Sequence, residues 1–370
     1  MASKTETEAA FVWETSIAAW DPQPLFRGYP VDELASSSTF LETAFLLMTG
    51  ELPTDEQLAD WQALLFDGLT LTSSMRGWLQ RVPKPAATID VLQAALARCR
   101  LSDSLAPPQN SRAAADAFPR WLGFVAAVIG CRSRLQHEND PIEPRADLGF
   151  AAQVWWLIHG KEPASWIERT LEQLLIVCAE HGFTASTWAV RAAAAAQADL
   201  STSLQAGLAV AQGARSSGSA TATLNVLSAV KSPERATAWV AQTVAKNKPI
   251  PGFQHRLYRV GDPRTDWLSP RCREAAERMD KMEREELATA IEQAVWDQKK
   301  ILPAVVWPAA RLLDYIGIHH DLFGPLFVLS RMAGWAAHDA EQRRVGTAPV
   351  IRAHYIGPAP RPVRPIQEPT

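Results

Sequence analysis

The chain has 370 residues, 47% of them hydrophobic and 21% charged, enough for two to three domains at roughly 150 residues each and for a well-buried core. Its 37 basic and 40 acidic side chains leave a formal charge of -3, which argues against a nucleic-acid or membrane-surface footprint. No apolar stretch approaches the ~20 residues a bilayer span needs, and the first ten residues are polar and acidic rather than a basic start before an apolar core, so the expectation is a cytoplasmic protein that binds neither nucleic acid nor membrane.

Taken in chain order, apolar residues recur at spacings of three and four: Phe40, Ala44, Phe45, Leu47 and Met48, then Leu58, Trp61, Leu64 and Leu65, then Val91, Leu92, Ala95, Leu96 and Cys99. That is the helical period. Thr54 or Asp55, after Pro53, is placed to cap a helix, residues 101–120 read as a loop leading into a helix that carries Trp121 to Ile129, and Lys161 to Ser165 starts another helix. Alternating runs of Val, Ile and Thr are nearly absent and alanine is abundant, so the fold class expected is all-α with short connections. Two segments break the helical pattern and read as site loops: residues 213–219, small and flexible, and residues 249–264, with three prolines, two glycines, three arginines and a histidine. Cys99, Cys131, Cys178 and Cys272 form no CxxC-type pair, which suits reduced, buried thiols. Most of the fourteen tryptophans are expected in the core.

Six ordered blocks then carry a resemblance. Leu25-Phe26-Arg27-Gly28-Tyr29-Pro30 with Leu46 to Thr54, Glu180-His181-Gly182-Phe183-Thr184-Ala185-Ser186-Thr187, Pro251-Gly252-Phe253-Gln254-His255-Arg256-Leu257-Tyr258, Asp262-Pro263-Arg264, Leu322 to Phe327 and Arg331 to His338 together resemble the citrate synthase and 2-methylcitrate synthase family. The resemblance implies a helical homodimer with a large domain, residues 1–220 plus 323–370, interrupted by a small one, residues 221–322, and an active site in the cleft between them. It also implies a transferase of tricarboxylic acid metabolism that condenses an acyl-CoA with oxaloacetate and hydrolyses the citryl-type thioester. No metal and no tightly bound cofactor is implied, the CoA thioester being a co-substrate.

Such a condensation must remove a proton beside the thioester, stabilise the enolate, polarise the oxo carbonyl and neutralise the substrate's carboxylates. Guanidinium suits carboxylates because its planar fork donates two parallel hydrogen bonds and keeps its charge. By the resemblance, Arg264 and Arg331 hold the oxo acid, His255 donates to its carbonyl, His181 is a second substrate-binding histidine and Phe327 walls the site. A lone histidine beside an apolar helix ordinarily just satisfies a backbone partner, whereas His255 lies among Arg256, Arg259 and Arg264. Ile250, Pro251, Gly252, Phe253 and Gln254 match the stretch that lies along the CoA adenine, and Arg259 a basic residue near the CoA phosphates.

The departures matter as much. Aligned on the family's GPLHGGA motif from Gly213, Ser216 stands where the catalytic histidine belongs and is left as a single hydrogen-bond donor to an enolate. Counting back from Gly317-Ile318 puts Val306 where the catalytic aspartate belongs, Val350 replaces an arginine that reaches the substrate across the dimer, Thr184 replaces an asparagine and Gln254 a glycine. Asp314 and Glu341 are the nearest carboxylates in sequence, with no motif reason to enter the cleft. Three readings follow: a citrate-synthase-like acyl-CoA:oxo-acid transferase with altered, for example decarboxylative, carbon-carbon chemistry; a non-catalytic partner forming a heterodimer with an active relative; or an ordinary citrate or 2-methylcitrate synthase.

Overall fold

The computed structural model describes residues 13–20, 23–101, 111–213, 218–253, 258, 261–346 and 356–360. Within them sixteen α-helices follow one another: α1 Val31–Ser37, α2 Phe40–Thr49, α3 Asp55–Leu69, α4 Ser73–Arg81, α5 Thr88–Arg100, α6 Ser111–Gln136, α7 Phe150–His159, α8 Ser165–Cys178, α9 Ala185–Ala195, α10 Leu200–Ala211, α11 Gly218–Val230, α12 Ala236–Ala245, α13 Pro263–Arg278, α14 Met282–Lys299, α15 Val306–Tyr315 and α16 Phe323–Val345. The only strands among the described residues are β1 Ala18–Ala19, β2 Leu25–Phe26 and β3 Tyr29–Pro30, an antiparallel ribbon in sequence order. The tight β2–β3 turn places both Arg27 and Gly28 at positive φ, which keeps the twist of a short hairpin. The all-α expectation holds.

Local chemistry accounts for where the helices begin. Thr39 and Thr54 each close a reciprocal capping box, with Glu42 and Gln57, so that both side chains satisfy otherwise orphaned backbone donors. The buried carboxylate of Glu172 serves two helix starts at once, accepting from the Phe40 N–H of α2 at 2.6 Å and the Ala151 N–H of α7 at 3.2 Å. One boundary differs from the sequence reading. Helix α6 starts at Ser111, not near Trp121, and runs through Pro119. A single proline removes one backbone donor, and buried Phe118, Trp121, Leu122 and Val125 on the same helix anchor it to the core against that loss.

The core is built around α16, buried along almost its whole length and carrying Trp335, Met332 and Leu329 into the interior. Trp61, Trp121, Trp155 and Trp307 are buried as well, and all four cysteines are free and buried. Helices α3 and α6 approach so closely that a Cβ on Gly123 would lie 2.2 Å from the Leu65 carbonyl oxygen, which reserves that position for glycine. On α15, Arg311 is fully buried between Glu285 at 3.0 Å and Glu292 at 3.1 Å, and Tyr315 and Trp307 donate to the same two carboxylates at 2.8 and 2.5 Å. This cluster locks α15 to α14 and fixes the rotation of α15, which decides what Val306 faces.

At the end of α7, His159 stacks on Trp155 with ring centroids 3.9 Å apart, and burial, helped by Lys161 and Arg134, pushes its pKa down to about 4. The folded state therefore refuses a proton that the unfolded chain takes up from about pH 6.5 downward, so stability is lost as pH falls from there towards 4. His159→Phe keeps the stack and removes that proton uptake. Denaturant midpoints are expected to show the variant gaining on the wild type at pH 4.5 relative to pH 7.

Candidate functional site

The site forms where the α8–α9 loop, the start of α13 and the first half of α16 converge. Asp262 caps α13, accepting from the Arg264 backbone N–H at 3.2 Å, and Pro263 occupies the first helical position. The same carboxylate takes two parallel bonds from the Arg264 guanidinium, at 2.9 and 2.7 Å, and a third donor, the Val305 N–H, at 3.1 Å. One buried aspartate thus aims Arg264 and pins the start of α15. Burial works to raise the Asp262 pKa, but Arg264 and the backbone donors win, holding it below the usual carboxylate range.

His181 is brought to Arg264 by the left-handed Gly182 and by Glu180, whose buried carboxylate accepts from the Gly182 N–H and contacts His338 Nε2 at 3.1 Å. His338 Nδ1 in turn lies 2.9 Å from Arg191, which pairs with Glu341 at 2.8 Å, and Glu341 binds Thr15 and Ser16. The loop is therefore held from behind by a buried ionic chain reaching the N-terminal segment. Arg264 Nη2 lies 3.3 Å from His181 Nε2. Because guanidinium only donates, Nε2 is the acceptor, which puts the imidazole proton on Nδ1 in the neutral ring. Trp20 crosses the imidazole edge-on with ring centroids 4.6 Å apart, its ring centroid lies 5.5 Å from the Arg264 guanidinium carbon, and the Tyr258 ring lies 5.7 Å from the imidazole.

Arg331 completes the cationic wall. It is 3% exposed, donates through Nε to the Cys178 carbonyl at 3.0 Å, and lies over the Phe327 ring at 5.0 Å. Among the described residues it has no ion-pair partner, and burial, with the charge of Arg264 added, pushes its pKa down to about 10. Among the described residues Arg264 Nη1, also buried, has no hydrogen-bond partner. Two desolvated guanidiniums with donors to spare and one committed carboxylate make a socket that an anion would complete.

Phe327 also lines a cavity of about 30 Å³, together with Leu171, Leu174, Leu175 and Cys178 of α8, Ala220 of α11, Val306, Ala309, Ala310 and Leu313 of α15, and Phe323, Leu326 and Ser330 of α16. Among the described residues of that lining there is no carboxylate and no imidazole. Asp314 is instead paired with Arg284 at 3.3 Å, and Glu341 belongs to the Arg191 chain. Neither carboxylate fills the place of Val306.

The structure thus brings His181, Arg264, Arg331 and Phe327 together. Ser216, His255, Gln254, Arg259 and Val350 lie outside the described residues. Ile250 and Phe253 are buried, and the segment 250–253 is stitched to the start of α15 by the Ala304 N–H donating to the Gly252 carbonyl at 2.8 Å and by Phe253 against Trp307 at 4.8 Å. Gly252 has φ +89°, and a Cβ there would sit 2.6 Å from Trp307 Cε3. Gly252→Ala is expected to cost about 2 kcal/mol through backbone strain and overpacking, read as a lower denaturant midpoint with an unchanged slope. Thr184 has a local role, capping α9 by accepting from the Thr187 N–H at 3.4 Å. Sequence reasoning gave no task to Asp262, Trp20 or the Glu180–His338–Arg191 chain. Asp-Pro ahead of a helix is a start signal that could have marked Asp262, since a capping carboxylate faces the same turn as the side chain two residues on.

Comparison with known proteins now decides the family. The family model described as "Citrate synthase, C-terminal domain" matches residues 7–354. This chain belongs to the citrate synthase family. It is 30% identical over 346 residues to a 2-methylcitrate synthase of Shewanella oneidensis, covering 92% of this chain and 90% of that one, and 28% identical to "Citrate synthase 2" of Bacillus subtilis, covering 93% and 92%. The crystal structure of citrate synthase from Thermotoga maritima superposes with a TM-score of 0.85 at 26% identity over 98% of both chains. A citrate synthase from Thermoplasma acidophilum, solved as a ternary complex with carboxymethyl coenzyme A and oxaloacetate, shares the fold with a TM-score of 0.89 at 23% identity. The all-α citrate synthase fold is therefore shared with both solved structures. No helix among the described residues is long and apolar enough to cross a membrane, and none of their side chains form a metal-holding group.

Proposed function

We propose that this member of the citrate synthase family binds a small oxo acid at His181, Arg264 and Arg331 and an acyl-CoA as co-substrate, and joins them by chemistry that does not draw a proton to a carboxylate at position 306. The observation that carries the binding half is Arg331, a buried guanidinium with no ion-pair partner among the described residues, set beside the Arg264–His181 pair. The chemical half is supported by Val306 and by the described residues around it, all of them apolar or neutral. A valine cannot accept a proton, so the enolate must arise another way.

Decarboxylation meets that need. When a malonyl-type thioester loses carbon dioxide, the electron pair of the broken carbon-carbon bond becomes the enolate, which adds to the oxo carbon, and the resulting alkoxide takes up one proton. In this reading Ser216 donates one hydrogen bond to the enolate oxygen, His255 polarises the oxo carbonyl, and residues 250–254 with Arg259 run along the CoA. The two-domain division at residues 220–221 and 322–323, with the cleft between, belongs to the same proposal, as does assembly into a homodimer.

The names of the relatives favour a second reading, an ordinary citrate or 2-methylcitrate synthase acting on an acyl-CoA and oxaloacetate. A non-catalytic role as partner of an active relative is the third. Mass-spectrometric screening of acyl-CoA and malonyl-type thioesters against oxo acids, with His255→Ala as control, separates them. A condensed product from a malonyl-type thioester, lost in His255→Ala, supports the proposal. Efficient product from acetyl-CoA or propionyl-CoA and oxaloacetate supports the second reading, and no product from any pair the third.

A further inference from the structure

One indole comes to the site from the N-terminal ribbon. Trp20 follows β1, and the chain ahead of it is fastened at several points: Thr15 and Ser16 bind Glu341, the Ile17 carbonyl accepts from the Arg27 N–H at 2.9 Å, and Ala18 and Ala19 pair with β2. The ring meets Phe26 edge-on with centroids 6.0 Å apart and then the His181 imidazole, also edge-on. These contacts fix the ring but leave its one polar atom idle. Trp20 Nε1 is buried and has no hydrogen-bond partner among the described residues, the same condition as Arg264 Nη1. A buried indole N–H ordinarily finds an acceptor, because one left without it has lost its water for nothing.

Gly182 leaves room beside that nitrogen. A Cβ on residue 182 would sit 3.1 Å from Trp20 Nε1 and 3.6 Å from Cδ1, and apart from the adjoining residues of its own loop nothing else described comes within 4 Å of that point. Any larger residue would press on the indole N–H. We propose that Trp20 is a substrate-binding residue of this site, its indole N–H donating to a carboxylate oxygen of the oxo acid whose charge Arg264 and Arg331 neutralise. The proposal rests on the anion-binding role given to the two arginines and extends it by a neutral donor from a segment outside the site's motifs. An indole N–H donates and never accepts, so it rewards a ligand that offers lone pairs and adds no charge to a wall that already holds two guanidiniums.

The test is calorimetric titration of the full chain with oxaloacetate and with pyruvate, wild type against Trp20→Phe, which keeps an aromatic ring and removes the N–H. The variant is expected to bind the tighter of the two acids about tenfold more weakly, the worth of one hydrogen bond to a charged acceptor, while its melting temperature without ligand stays close to that of the wild type. A Trp20 that only packs would do the reverse, lowering the melting temperature and leaving the affinity unchanged, and that result overturns the proposal. If Trp20→Phe does not fold or melts far lower, NMR of the wild type carrying nitrogen-15 in its tryptophan indoles decides. Either acid is then expected to move an indole N–H signal downfield and to slow its exchange with solvent, and a set of indole signals unmoved by a bound acid overturns the proposal. Binding by the wild type that Trp20→Phe does not weaken sinks only the role of Trp20, whereas a wild type that takes up neither acid sinks the anion socket too.

Discussion

Arg331→Leu is expected to abolish carboxylate binding while leaving the protein folded, and Arg264→Leu to damage both. The difference lies in what each arginine leaves behind. Asp262 is fully buried and receives two of its hydrogen bonds from the Arg264 guanidinium. Removing that cation strands the carboxylate, a loss of about 3–5 kcal/mol, large against the total stability of a domain. Arg331 is bonded to no carboxylate among the described residues, and Glu180, which feels its charge, keeps its own partners in His338 and the Gly182 N–H. The lost hydrogen bond from Arg331 to the Cys178 carbonyl is offset by removal of a desolvated charge, so stability should stay within about 1 kcal/mol of wild type. For the ligand the ranking reverses, because charge-assisted bonds from Arg331 are worth about 1.5–3 kcal/mol each, roughly tenfold to hundredfold in affinity per bond. Thermal unfolding with and without added pyruvate reads both effects in one experiment.

The second large expectation concerns turnover. A positioned base or acid is worth about 10²–10⁴ in rate, and the proposed function puts a hydrocarbon, Val306, where the resemblance puts a carboxylate. Formation of citrate from acetyl-CoA and oxaloacetate, or of 2-methylcitrate from propionyl-CoA, is expected to run at least about 10²-fold below the rate of the Bacillus subtilis relative assayed alongside. Malonyl-type thioesters are expected to escape that penalty, because their enolate forms without proton abstraction. Measuring initial rates for the three thioesters with one oxo acid separates a missing base from a protein that is simply inactive, since the latter fails with all three.

Much of this was legible in the sequence. Helical periodicity, capping threonines and the near absence of alternating β-branched runs pointed to an all-α chain, and the residues singled out from the motifs, His181, Arg264, Arg331 and Phe327, lie near one another. Each of those motifs is short and sits at a helix end or loop, where local chemistry dictates geometry. What escaped was set by packing between distant segments. Glu180, His338, Arg191 and Glu341 make sense only once α9 and α16 lie side by side, and Trp20 reaches His181 from the far N-terminal ribbon. The start of α6 escaped for the opposite reason. Pro119 is a strong local stop signal, overruled by the burial of its neighbours.

The central claim is that the cleft keeps its anion socket while lacking a group that takes a proton from the acyl carbon. Exchange of the acetyl protons of acetyl-CoA with deuterium, followed by proton NMR in deuterated buffer with the protein and a bound oxo acid, tests it most directly. The account predicts exchange no faster than in the protein-free control, in samples where the oxo acid demonstrably raises the melting temperature. Rapid exchange that depends on the protein would contradict it, because a base would then be acting beside Val306.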